Sequence, residues 1–159
     1  MAEDRIEVQR IIPAAPADVF AVLCDPQGHV SIDSSGMLMD AEGSPVTAVG
    51  DSFVVHMDRE ALNDYPLGRY DVTVEITTFV QDQEIAWTPH GQLDLGHIYG
   101  YRLEPDDDGT LTTSYYDWST ASEDWRQAGI FPVLSEAALR ATLGILARTV
   151  VRGYPGSPA

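Results

Sequence analysis

Four histidines and a set of tyrosines are the residues of this chain whose types suit acid–base chemistry. His29 and Asp33 stand four apart, so on a helix they share a face and can hydrogen-bond. They read as a local structural pair, with ligand contact or acid–base work as the functional alternative. A metal there would need a further ligand, and no spacing nominates one, so no metal is expected. His97 shares strand parity with Tyr99 and Tyr101 and either faces a pocket or sits at an edge. His56 lies opposite Phe53 and Met57 and reads as surface. A base beside a carbonyl, with a donor to steady an enolate, can be built from His or carboxylate with Tyr. Those are suitable types rather than a motif, and no catalytic residue is assigned.

Other candidates carry less. Asp106-Asp107-Asp108-Gly109 is most simply a solvated hairpin tip, its Asp-Gly supplying positive-φ positions. It lacks the spaced oxygen ligands of a calcium loop. Cys24 has no His–Asp arrangement and reads as a buried inert thiol. Gly28, Gly36 and Gly50 form no phosphate-cradling pattern, so no nucleotide or other cofactor is expected.

The elements that must position these groups follow from periodicity. Ile6, Val8 and Ile12 alternate with Glu7 and Gln9, which marks a half-buried strand. A short helix opens at Pro16 with Val19, Phe20, Val22 and Leu23 on one face, and Asp25-Pro26 closes it. A second short helix is predicted over Gln27 to Ile32, then a loosely structured stretch from Met37 to Gly50. Strands follow at Phe53 to Met57, at Tyr70 to Thr77, at Glu84 to Thr88, at His97 to Glu104 and at Leu111 to Trp118. In the second of these, Tyr70, Val72, Val74 and Ile76 face one way and Asp71, Thr73, Glu75 and Thr77 face water. The excursion Asp58 to Arg69 is a surface loop or a lid. Ser122 to Trp125 resembles a capped helix start, Phe131-Pro132 a bend, and Ser135 the cap of a long helix to about Arg152. There Leu139, Leu143, Leu146 and Val150 form one apolar stripe, and Glu136, Arg140, Arg148 and Arg152 the wet face.

With 159 residues, 44% of them hydrophobic, the chain can bury a real core as a single domain. That domain is drawn at residues 3–153, with 154–159 as a short flexible tail. Twenty-five acidic residues face nine basic ones, all arginine, for a net charge of −16. Phosphate backbones and anionic lipid surfaces would repel such a chain, so neither nucleic-acid binding nor stable membrane association is expected. One cysteine excludes an internal disulfide and suits a reducing compartment. No apolar run approaches a membrane span, and the acidic start Met1-Ala2-Glu3-Asp4 lacks a signal peptide's basic region. A cytoplasmic protein is expected, monomeric or weakly homodimeric.

Strands joined mostly by short turns pair antiparallel, and the one long amphipathic helix has to cover a face of their sheet. A curved sheet of about six or seven strands around a single helix leaves a gap that large side chains line. Phe53, Trp87, Tyr99, Tyr101, Tyr115, Tyr116, Trp118, Trp125 and Phe131 are the aromatic supply. Each could simply fill a core, but tyrosine and tryptophan tips need partners when buried, which favours a pocket. Parity alone does not choose between Leu111-Thr113-Tyr115-Asp117 and Thr112-Ser114-Tyr116-Trp118 as the inward set.

The opening IEVQRIIPAAPADVFAVLCDPQGHVSIDSSG, the segment Gly50-Asp51-Ser52-Phe53-Val54-Val55, the hairpin YGYRLEPDDDGTLTTSYYDWS and the final helix carry a resemblance. Together they resemble START-like SRPBCC proteins, and more narrowly actinobacterial proteins grouped with polyketide cyclases/dehydrases and lipid-transport proteins. The resemblance runs from Arg5 to about Arg152. It implies an α+β helix-grip fold with an apolar cavity between the long helix and the sheet, and it favours Thr112-Ser114-Tyr116-Trp118 inward. It puts the His29 face near the cavity mouth. No Rieske-type Cys/His set is present, which removes the oxygenase branch of that superfamily. The expected ligand is a hydrophobic or aromatic small molecule, lipid or polyketide-like. The expected lining is Phe53, Val55, Met57, Trp87, Tyr99, Tyr101, Tyr116, Trp118, Phe131, Leu139 and Leu143. The alternative is a cyclase/dehydratase-type enzyme using Tyr and His groups in the same cavity; a ligandless partner-binding module comes third. Asp58 to Arg69 and the bend at Pro132 are the expected gates.

Overall fold

Alternation in β1 (Arg5–Ile12) buries Val8 and Ile12 and leaves Glu7, Gln9 and Ile11 outside. Two helices follow, α1 (Pro16–Cys24) and α2 (Pro26–Ile32), each opened by proline where the missing N–H costs nothing. Asp25 ends α1 and caps α2, its carboxylate accepting from the Gln27 N–H at 3.0 Å. The remaining strands are β2 (Leu38–Glu42), β3 (Ser52–Asp58), β4 (Arg69–Val80), β5 (Glu84–His90), β6 (Ile98–Asp106) and β7 (Gly109–Asp117). The chain closes with α3 (Glu123–Gln127) and α4 (Glu136–Arg152). The structure, a computed structural model, describes residues 4–156. Among them no helix is long and apolar enough to cross a membrane.

All seven strands pair antiparallel in the order β1-β7-β6-β5-β4-β3-β2. The expected curved sheet of six to seven strands is therefore present, with α4 on its concave side. Ser135 caps α4 as expected, its hydroxyl accepting from the Ala138 N–H. Leu139, Leu143 and Leu146 are buried, and Glu136, Arg140, Arg148 and Arg152 are exposed. The Arg10 guanidinium crosses from β1 to Gly144, where a Cβ would stand in ordinary contact with it at 3.8 Å.

Five readings need correction. The stretch after Met37 is not unstructured, because Leu38–Glu42 adds edge strand β2 on β3. Ser122 precedes α3 without a side-chain cap bond. Only Gly109 has positive φ in the β6–β7 turn, at +136°, while Asp107 and Asp108 do not. The outer face of β4 is not uniformly wet: the β4–β5 register slips between Ile76 and Thr78, and the unopposed Thr77 keeps its hydroxyl shielded and unpartnered. That slip also turns Phe79 inward, edge-on to Phe20 at 5.3 Å. Tyr154, assigned to the tail, is half-buried and donates its hydroxyl to Asp25 at 2.6 Å. Residues 1–3 and 157–159 lie outside the described ones, and with them the domain boundary at residue 3.

On the convex face Tyr115 lies over Gly100, where a Cβ would meet its ring at 2.2 Å. The Arg5 guanidinium sits 4.0 Å from that ring, and the Tyr115 hydroxyl donates to Glu84 at 2.6 Å. Tyr115 is thus an outer-face residue and leaves the pocket supply. Gly100→Ala is expected to displace the ring and lower stability by about 1–2 kcal/mol, read by urea unfolding. An unchanged midpoint would show that the ring is free to move.

Candidate functional site

The concave face carries the groups with chemistry. Cross-strand register sets Trp87 opposite Tyr99, and Tyr99 opposite Tyr116. Tyr99 and Tyr116 stack with centroids 4.7 Å apart, and Trp118 stacks on Phe131 at 6.2 Å. Tyr116 is fully buried, as expected for the inward set, while Asp117 faces out to Arg5 at 3.1 Å.

The structure places the expected lining residues in three situations. Phe53, Val55, Tyr101, Tyr116, Leu139 and Leu143 are buried in the core, and Trp118 is 9% exposed. Trp87, Tyr99 and Phe131 are half-buried against it. Met57 packs partly buried against the core and also lines a surface cleft of about 580 Å³ with Met39, His56 and Arg69. A second cleft, about 360 Å³, opens beside Trp118 and Phe131, with Asp4, Glu123 and Arg126 on its rim. Trp125 is half-buried on α3 and does not line that cleft.

His29 and Asp33 do not pair, which corrects the sequence reading. Asp33 is the C-cap of α2, and its carboxylate accepts from Ser35 and from the Leu38 N–H. His29 instead donates Nε2–H to the Leu23 carbonyl at 2.8 Å, since a carbonyl only accepts. Its ring stands edge-on to Phe53 and Trp87, with centroids 4.8 and 4.6 Å away. Burial pushes its pKa down to about 4, against the opposing hydrogen bond to Leu23. It is a neutral strut beneath the aromatic cluster.

His97 is the second buried histidine, 5% exposed, with Nδ1 2.6 Å from the Tyr116 hydroxyl. Burial pushes His97 down to about 4 and Tyr116 up to about 12, so both are neutral near pH 7. The neighbouring Val133 N–H and Tyr99 hydroxyl pull Tyr116 the other way. Parity signalled that His97 could face inward; the contact with Tyr116 depends on β6–β7 register, which no local pattern carries. His56 is at the surface as expected, its ring nitrogens 2.7 and 3.2 Å from Asp71 and Glu42. The Asp71 hydrogen bond raises its pKa. Among the described residues no three His, Cys, Asp or Glu side chains group as a metal site.

Neither a family model nor a curated protein sequence matches this chain. Solved structures do. Protein Ms6760 from Mycobacterium smegmatis is 13% identical, with a TM-score of 0.66 over 93% of this chain and 91% of that one. The Aha1 dimer from Colwellia psychrerythraea is 15% identical, with a TM-score of 0.61 over 96% and 98%. DynU16, a protein in the dynemicin biosynthetic locus, is 16% identical, with a TM-score of 0.64 over 97% of this chain and 49% of that one. At such identities the likeness speaks for architecture alone. The chain shares with these structures an α+β helix-grip fold, a seven-stranded antiparallel sheet with a long C-terminal helix.

Proposed function

We propose that the protein binds a hydrophobic or aromatic small molecule, lipid or polyketide-like, between the concave sheet face and α4. The observation that carries this reading is the aromatic cluster itself. Tyr99, Tyr116 and His97 turn polar tips toward one another among apolar rings, while Trp87, Tyr99 and Phe131 stay half-open. A dry core would not need those tips. The cleft beside Trp118 and Phe131 is the entrance, and Phe131 the residue that must swing aside. The protein acts in the cytoplasm as a monomer or weak homodimer.

Burying about 300 Å² of apolar ligand surface offers roughly 7 kcal/mol before association costs, which points to micromolar binding or weaker unless polar contacts add to it. Titration with the neutral fluorophore 1-aminoanthracene should quench tryptophan emission at micromolar concentration. At about a hundredfold excess over Kd, binding adds roughly 2.7 kcal/mol and should raise Tm by about 5–10 °C. Native mass spectrometry of the purified protein should show a co-purifying hydrophobic species. An empty protein with no quenching and no Tm shift overturns the reading.

The His97–Tyr116 contact favours a second reading, a cyclase/dehydratase-type enzyme in the same place. Turnover of a polyketone substrate, lost in Tyr116→Phe, separates it from a carrier.

A further inference from the structure

His97 stands just before β6 with its ring among three others, Tyr99, Tyr116 and Phe131, at centroid distances of 5.2, 5.4 and 6.1 Å. The position of its proton follows from counting donors. A tyrosine hydroxyl has one proton and two acceptor sites; a neutral imidazole has one N–H and one bare nitrogen. Tyr116 is fully buried, and among the described residues its hydroxyl has one hydrogen-bond partner, His97 Nδ1. A shielded hydroxyl proton needs an acceptor, so it points along the 2.6 Å contact to His97 Nδ1. Nδ1 is therefore the acceptor, and the imidazole proton resides on Nε2.

Nε2 has no partner among the described residues. Among them the one fully shielded side-chain polar atom left unpartnered is Thr77 Oγ1, so Nε2 is reached from outside. We propose that His97 presents a neutral Nε2–H donor to an oxygen acceptor on the bound molecule, so that the ligand class is an oxygenated aromatic such as an aryl ketone or quinone. This rests on the small-molecule reading above. A bare hydrocarbon or simple acyl chain would leave the donor unpaired on binding, a cost that selects against it. A free carboxylate would approach against a net charge of −16. The same tautomer has a consequence for the enzymatic reading. With its proton already on Nε2, His97 polarises a carbonyl and does not abstract a proton from carbon.

Two measurements on the full chain test this. Nitrogen-15 spectra of labelled histidine should show His97 as the Nε2–H tautomer at pH 7, and Tyr116→Phe should shift it toward a mixture. A His97 proton on Nδ1 overturns the proposal. The second measurement compares 2-acetylnaphthalene with 2-ethylnaphthalene, near-isosteric probes with and without the oxygen. The wild type should bind the ketone about three- to tenfold more tightly, as one neutral hydrogen bond provides. His97→Phe should abolish the preference between the two probes. Equal binding of the two by the wild type overturns the donor assignment and leaves the small-molecule reading standing. Binding of neither overturns both. The wild-type comparison and the spectra do not depend on the His97 variant folding.

Discussion

Lowering the pH from 7.5 to 4 should cost the protein several kcal/mol of stability through two buried histidines that fold in neutral form. Burial is the main cause of both shifts: His29 and His97 are each pushed down to about 4. In the unfolded chain each titrates near ~6.5. Between about 6.5 and 4 the unfolded state therefore binds more protons than the native one, and stability rises with pH across that window. The contribution is complete above ~6.5, is lost as pH falls through the native values near 4, and changes no further below them. Each shift corresponds to about 3 kcal/mol, so the pair sets about 6 kcal/mol against a typical total of ~5–15.

Carboxylates act both ways: Glu7, Asp40, Asp51, Asp64 and Asp117 are held below their usual range and lose stability on protonation as the histidines do, while protonation also relieves the self-repulsion of a chain carrying −16. The net slope therefore carries carboxylate contributions besides the histidine sum, and a variant isolates the histidine part. Urea unfolding at pH 7.5, 5.5 and 4 should show stability falling in the wild type. His29→Gln keeps a donor for the Leu23 carbonyl but does not titrate, and should remove about half of the histidine slope. A variant whose slope matches the wild type would mean that His29 is protonated in the native state. It would then not be a neutral strut under Phe53 and Trp87.

Much of this arrangement was legible in the sequence, and its limits have physical causes. Alternation located β1 and β4, and a stripe at helical spacing located α4, because one buried face imposes its period on the residues. β2 escaped because only Ala41 of its five residues is buried and its register on β3 is irregular. Phe79 escaped because parity counted from Tyr70 puts Thr78 inward, and the slip after Ile76 reverses that assignment. His29 and Asp33 were brought together by helix spacing alone. The chain leaves the helix at Asp33, ψ 120°, and the next loop claims its carboxylate through Ser35 and Leu38.

The aromatic set was legible as residue types facing one way. Its hydrogen-bonded centre was not, because Tyr116 and His97 are 19 residues apart and meet through strand pairing. Tyr154 and Asp25 are farther still, 129 residues apart, and nothing local links a tail tyrosine to a helix cap.

Strand pairing also makes Gly109 a residue whose substitution should be costly. Its φ of +136° is one that side-chain-bearing residues rarely adopt. A Cβ there would stand 2.1 Å from the Ile12 carbonyl oxygen and 2.8 Å from the Pro13 Cα. Both are backbone atoms at the exit of β1, so no side-chain rotation relieves the contact. Strain of about 1–3 kcal/mol and overpacking of similar size put Gly109→Ala at about 3–5 kcal/mol. For a chain of this length that is a Tm lower by roughly 6–20 °C. Asp107→Ala, on the same turn and exposed, should stay within about 0.5 kcal/mol. The effect should also reach the site, because the turn starts the β7 register that pairs Thr110 with Ile12 and, six residues on, Tyr116 with Ile6. In Gly109→Ala the His97 nitrogen signals should therefore broaden or shift, whereas in Asp107→Ala they should not move. A Gly109→Ala protein with wild-type Tm and unmoved His97 signals would mean that the β1–β7 pairing is set from its other end, where Arg5 holds Asp117.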